Sequence, residues 1–142
     1  MDNILYDLYK SCCNFKTIHN INAFVKNNQD KLNNEELKIL TENKYLSHSI
    51  SIIAALSIQS AFYKLRRLKL FLYRKTIPHV CGLLSSCFYL YLHNLYISRN
   101  NISKLIILAE KDMYNAGIGQ TIKEMYKEQD EDDYLLLRNK KF

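Results

Sequence analysis

Two long stretches without a formal charge divide the chain. The first, Tyr45 to Tyr63, reads YLSHSISIIAALSIQSAFY over nineteen residues. The second, Thr76 to Ser98, reads TIPHVCGLLSSCFYLYLHNLYIS over twenty-three. As helices rising 1.5 Å per residue they would extend about 29 and about 35 Å, against a hydrocarbon core of ~30 Å. Both predict membrane-spanning helices. His48, Gln59 and five serines dilute the first span. Its small residues Ala54, Ser57, Ser60 and Ala61 are the kind that packed membrane helices place at close interfaces, so it is expected to face protein as well as lipid. In the second, Pro78 suits a helix start, and Tyr89, Tyr91 and Tyr96 gather toward one end as an aromatic belt does.

The flanks show helical periodicity of a different kind. Ile4, Leu5 and Leu8, then Ile18, Ile21, Phe24 and Val25, suit one or two amphipathic helices within residues 2–28. Asn33 or Asn34 is placed to cap a helix carrying Glu35 and Glu36 in its first turn, where the helix dipole favours acids. Beyond Arg99 an amphipathic segment is expected from Ile102 to Met113, ending near Gly117 and Gly119. A short polar helix over 120–128 then leads to Asp130–Asp133, read as a solvated tail or as a partner for basic surfaces. The domain reading is a helical flank at 1–44, a hairpin at 45–98 with a basic turn at 64–75, and a helix with a charged tail at 99–142.

Charge sharpens this picture. Between Glu42 and Glu110 there is no Asp or Glu, yet nine basic residues occur: Lys44, Lys64, Arg66, Arg67, Lys69, Arg74, Lys75, Arg99 and Lys104. Water-soluble helices usually mix both signs on their exposed faces. Six of the nine lie within KLRRLKLFLYRK, residues 64–75. A basic connection between two spans belongs on the inner side of a membrane. Lys64, Arg66, Arg67, Lys69, Arg74 and Lys75 are therefore the candidate contacts for lipid headgroups or for a partner's carboxylates. With three glycines and one proline, the chain reads as all-α.

Candidate chemistry changes little. Cys12, Cys13, Cys81 and Cys87 include no CxxC pair and form no disulfide framework. His79 and Cys81, or His93 and Cys87, have the wrong spacing for a closed four-ligand metal site. No Ser-His-Asp order, Gly-rich phosphate loop or HExxH motif is present, and the acid cluster lacks an EF-hand's alternating ligands and central Gly. No cofactor, metal or catalytic residue is assigned.

From about residue 46 to 114 the order of features resembles the two-helix accessory subunit of the membrane arm of mitochondrial NADH:ubiquinone oxidoreductase, respiratory complex I. Arg66 and Arg67 resemble that family's arginine turn. Tyr89, Leu90, Tyr91 and then Arg99 resemble its exit from the second span, and Asp112, Met113 and Tyr114 its acidic-Met-aromatic segment. The chain carries about 45 residues ahead of the first span and lacks a Pro-bearing acidic motif in its tail. The resemblance implies a multi-pass structural subunit of the mitochondrial inner membrane, without redox centre or quinone chemistry of its own.

The expectation is therefore a non-catalytic accessory subunit of a respiratory complex. Its partners would be other subunits and membrane lipids, including anionic, cardiolipin-like ones, and neither nucleic acid nor a small-molecule substrate. Two rivals come from other classes. One is a soluble helical interaction protein with 45–98 as a buried central hairpin, whose basic turn binds an acidic partner or nucleic acid. The other is a thiol-dependent enzyme or assembly factor using Cys12 and Cys13, for which no activating base lies nearby in the sequence.

Overall fold

The computed structural model describes residues 4–42, 44–68, 74, 76–112 and 116–140. Among these the chain is all-α, with no strand. In order come α1 (Ile4–Cys13), α2 (Phe15–Asn27), a single 3-10 turn (Gln29–Lys31), α3 (Asn34–Thr41), α4 (Lys44–Leu65), α5 (Thr76–Lys111), α6 (Gly119–Gln129) and α7 (Glu131–Arg138). The expected break after Ser98 is absent. No Gly or Pro lies between Gly82 and Lys111, so nothing stops α5, and it continues for 36 residues.

The chain divides into two compact units. One comprises residues 1–42 and 95–142, the other residues 43–94. The first unit thus joins the two flanks that the sequence presents separately. Its core draws Ile18, Ile21 and Val25 from α2, at helical spacing, and Leu95, Ile102, Leu105, Ile106 and Ala109 from α5. Ile118 and Ile122, Tyr126, Tyr134 and Leu137 close it from the α6–α7 side. Each large side chain fully buried here contributes roughly 1.5–3 kcal/mol of transfer free energy. The tail is therefore part of the fold, with Asp133 and Leu137 no more than 1% exposed.

Glu36 has no exposed surface and caps two helices at once. One carboxylate oxygen accepts from the Asn33 N–H at 3.0 Å, completing a capping box at the start of α3. The other accepts from the Gly119 N–H at 2.9 Å, at the start of α6. A Cβ at position 119 would come within 2.9 Å of that oxygen, and one at 117 within 2.7 Å of the Lys31 carbonyl. Both glycines are thus needed for close approach.

α1 is turned opposite to its expected face. Ile4, Leu5 and Tyr9 are more than 60% exposed, while Asp7 and Ser11 are buried. The reason is Arg99. It interrupts the apolar stripe of α5, is 1% exposed, and draws acids inward. Its Nη1 donates to Asp7 Oδ1, and its Nη2 donates to Asp133 Oδ1 at 2.5 Å. The Tyr126 hydroxyl donates to the other Asp133 oxygen at 2.5 Å, and Lys140 Nζ donates to Asp7 Oδ2 at 2.7 Å. Two cations thus balance two carboxylates inside the helix packing.

Replacing Arg99 with Leu leaves Asp7 and Asp133 without their central counter-charge. A buried pair broken on one side costs about 3–5 kcal/mol. Denaturant unfolding of the full chain in mild detergent, with amide exchange read over 102–106 and 122–126, should show a loss of that size. Arg138→Ala, which removes a half-exposed 3.6 Å pair with Glu110, should cost less than about 1 kcal/mol.

Candidate functional site

Titratable groups concentrate in the first unit, around Arg99. Asn14, just ahead of α2, donates through Nδ2 to Asp130 and to Asp133, both at 3.2 Å. Lys10 bridges to Asp130 at 2.9 Å. Burial alone would raise the Asp7 carboxyl, but Lys140 and Arg99 outweigh it and hold its pKa below the usual aspartate value. Asp130 follows the same pattern, with the Asp133 N–H and Lys10 overcoming burial. For Arg99, burial works against the charge, and Asp133 and Asp7 restore it. Tyr126 is pushed up by burial and by the Asp133 carboxylate beside it.

A second cluster lies on Glu110, which accepts from Tyr134 at 2.6 Å and pairs with Lys123 at 2.7 Å. Lys123 and Tyr134 keep that carboxyl low. Burial and the Glu110 carboxylate raise the Tyr134 phenol to about 12. In both clusters the charged groups pair with one another, and of the Arg99 guanidinium only Nε is buried without a hydrogen-bond partner. Such an arrangement fixes helices in register; it does not aim a base or nucleophile at a cleft.

The second unit has the opposite character. α4 buries only Ser51 and Ala55 among its residues. Along the seam with the first half of α5, the Ser86 hydroxyl donates to the Ala55 carbonyl at 3.0 Å, and Ser47 Oγ meets His93 Nε2 at 3.2 Å. At the far end Arg66 lies 3.5 Å from His79 Nε2, and the Tyr63 and His79 rings are 5.6 Å apart. These pairings set the two helices antiparallel. They approach closely at Gly82, where a Cβ would fall 2.6 Å from Gln59 Oε1 and 3.0 Å from Phe62 Cβ. A seam built from Ser, Ala and Gly leaves the larger side chains outside. Leu46, Ile52, Ile53, Leu56, Leu83, Leu84 and Phe88 are each 55–66% exposed.

The candidate basic contacts separate on inspection. Lys64 and Arg67 are exposed at the end of α4, and Arg74 is exposed as well. Arg66 is half-buried, with its guanidinium 5.9 Å from the Tyr63 ring centre and turned toward His79. Lys69 and Lys75 lie outside the described residues, as do Met113 and Tyr114 of the resemblance. Arg99, its exit residue, is not at an exposed boundary at all. The four cysteines are exposed and unpaired with one another, and no cluster of three or more potential metal ligands occurs among the described residues. Sequence reading missed the Asp7–Arg99–Asp133 set and the double cap on Glu36. One signal was available: with no acid between Glu42 and Glu110, a buried Arg99 must take its counter-charge from the flanks.

Comparison with known proteins finds no family model, curated protein or solved structure that matches the chain.

Two outcomes follow from this geometry. Carboxylates held below their unfolded values, ~3.9 for Asp and ~4.3 for Glu, add stability above those values that is lost as pH falls through the folded ones. Tyr134 and Tyr126 work in the other direction. Their contribution is complete below the unfolded phenol value of ~10 and is lost as pH rises from there through the folded value. The stability of the first unit, followed by denaturant midpoint against pH, should form a plateau that falls below about pH 4 and again above about pH 10. Separately, Gly82→Leu should open the α4–α5 seam at a cost of about 1–3 kcal/mol. Disulfide cross-linking of Ala55→Cys to Ser86→Cys, with the native cysteines changed to Ser, should lose most of its yield in that variant.

Proposed function

We propose that this chain is a non-catalytic structural subunit of a membrane complex, seated by residues 45–98 as a two-span hairpin. The observation that carries the reading is the outer surface of α4 and of the first half of α5. It is apolar, uncharged over nineteen and twenty-three residues, and uncovered by the chain itself. Contiguous exposed apolar surface of this kind marks a protein or membrane contact. Covering one side chain of this class is worth about 1.5–3 kcal/mol, so the seven named above offer on the order of 10 kcal/mol before the costs of association. Stretches within 34–65 and 76–111 are also long and apolar enough to cross a bilayer by length and composition.

On this reading the basic turn at 64–75 faces the inner, matrix side by the charge rule, and both ends of the hairpin emerge on the opposite side. Residues 1–42 and 95–142 are held by their own core and ion pairs. The subunit acts by burying surface and keeping neighbouring subunits in register. The resemblance of Arg66–Arg67 and Tyr89–Tyr91 directs the choice of host to the mitochondrial inner membrane, and to respiratory complex I first.

Alkaline carbonate extraction of isolated mitochondria, followed by native-gel separation of a mild-detergent lysate, tests it. The chain should stay with the membrane pellet and co-migrate with a large respiratory complex. Release by carbonate as a small soluble species would overturn the reading and transfer attention to the basic turn as a salt-sensitive docking site.

A further inference from the structure

The outer face of α4 carries a shallow open groove of roughly 500 Å³, lined by Ile53, Leu56, Ser57, Ser60, Ala61 and Lys64. These residues recur at helical spacing on one side of the helix, away from the Ser51–Ala55 seam. Small side chains at 57, 60 and 61 make the trough, and Ile53 and Leu56 close its far end. The Ser57 hydroxyl is turned back onto the Ile53 carbonyl at 2.9 Å, so it is spent on the helix itself. Apart from the Ser60 hydroxyl the floor is hydrocarbon, which suits an acyl chain better than a sugar or a nucleotide needing several donors and acceptors.

The near end of the groove is cationic. Lys64 is exposed there, Arg67 follows it, and no acidic residue exists between Glu42 and Glu110 to neutralise them. Arg66, by contrast, is engaged with Tyr63 and His79. From Lys64 to Ile53 the helix rises about 16 Å, which matches half of a ~30 Å hydrocarbon core. The trough therefore has the length of one leaflet, with its charge at the headgroup level.

We infer that this groove is a binding site for one anionic phospholipid of the inner leaflet, its phosphate on Lys64 and one acyl chain along Ala61, Ser57 and Ile53. The inference rests on the membrane reading above and adds the ligand class and the residues that select it. An ammonium at the surface of an anionic leaflet gains enough for a preference of about five-fold over a zwitterionic lipid. Filling the trough should remove the lipid even when the charge stays.

The test uses the full chain purified in mild detergent and offered phosphatidylglycerol or phosphatidylcholine of identical acyl chains, with retained lipid counted by native mass spectrometry. The wild type should retain phosphatidylglycerol about five-fold over phosphatidylcholine. Lys64→Gln should abolish the preference, and Ala61→Leu should lower retention of both lipids while leaving the helix content unchanged. Equal retention of the two lipids by the wild type, or unaltered retention in both variants, would overturn the assignment. So would displacement of the lipid by a polyglutamate peptide that binds in a Lys64-dependent way, which would assign this surface to an acidic protein. Flotation of the same preparation with phosphatidylcholine vesicles separates the two levels. A chain that floats but shows no headgroup preference refutes only the lipid site, and one that does not float refutes the membrane reading itself.

Discussion

A guanidinium withdrawn from water needs negative charge delivered to it, and this requirement organises the larger unit of the protein. Arg99 is the one buried charge on the largely apolar inner stripe of α5, among the described residues, so the helices that pack there must bring carboxylates with them. α1 supplies Asp7 and α7 supplies Asp133; α6 adds the Tyr126 hydroxyl. A wholly apolar contact would tolerate several registers of these short helices. A charge with two fixed acceptors tolerates one. The arrangement is costly in desolvation, and its value lies in specificity more than in raw stability. It also explains why α1 turns its apolar residues outward.

The two units solve the burial problem in different ways. Residues 1–42 and 95–142 close an apolar core and pair their buried carboxylates internally, while Ile4, Leu5, Tyr9 and Leu136 stay outside it. Residues 43–94 meet most closely where Ala55, Gly82 and Ser86 lie, and leave Leu46, Ile52, Ile53, Leu56, Leu83, Leu84 and Phe88 outside. Small residues at the contact and large ones at the periphery reverse the usual order of a water-soluble helix pair. On the membrane reading proposed above, lipid or neighbouring subunits complete that unit.

Much of the helical content was legible because its signals are local. Asn33 and Glu36 announce the start of α3, and the 3.6-residue rhythm of Ile18, Ile21 and Val25 announces α2; the continuity of α5 through Ser98 was not read, although no breaker interrupts it. What stayed hidden was non-local. Arg99 read as the polar end of a span because an arginine beside nineteen-plus uncharged residues normally marks a boundary. Its burial depends on Asp7 and Asp133, which lie near opposite ends of the chain and show no mutual spacing. Asp130–Asp133 read as a solvated tail or as a partner for basic surfaces, with Lys10 and Arg99 not identified as the basic side. The second role of Glu36, at the start of α6, needs Gly119 to approach it, and no pattern along the sequence records that. Among the basic residues of the turn, only the fold distinguishes Arg66, spent on Tyr63 and His79, from the exposed Lys64.

The chain order of the Arg99 cluster also carries a consequence for biosynthesis. Asp7 emerges from the ribosome early, but it has no guanidinium to meet until Arg99 follows, and the set is incomplete until Asp133 arrives. At about 5–20 residues per second, Asp133 is added on the order of 10 s after Asp7. The two uncharged stretches are made entirely within that interval. On the membrane reading proposed above, the apolar stretches are thus complete before the Arg99 set can close, and that closure comes afterwards as the locking step.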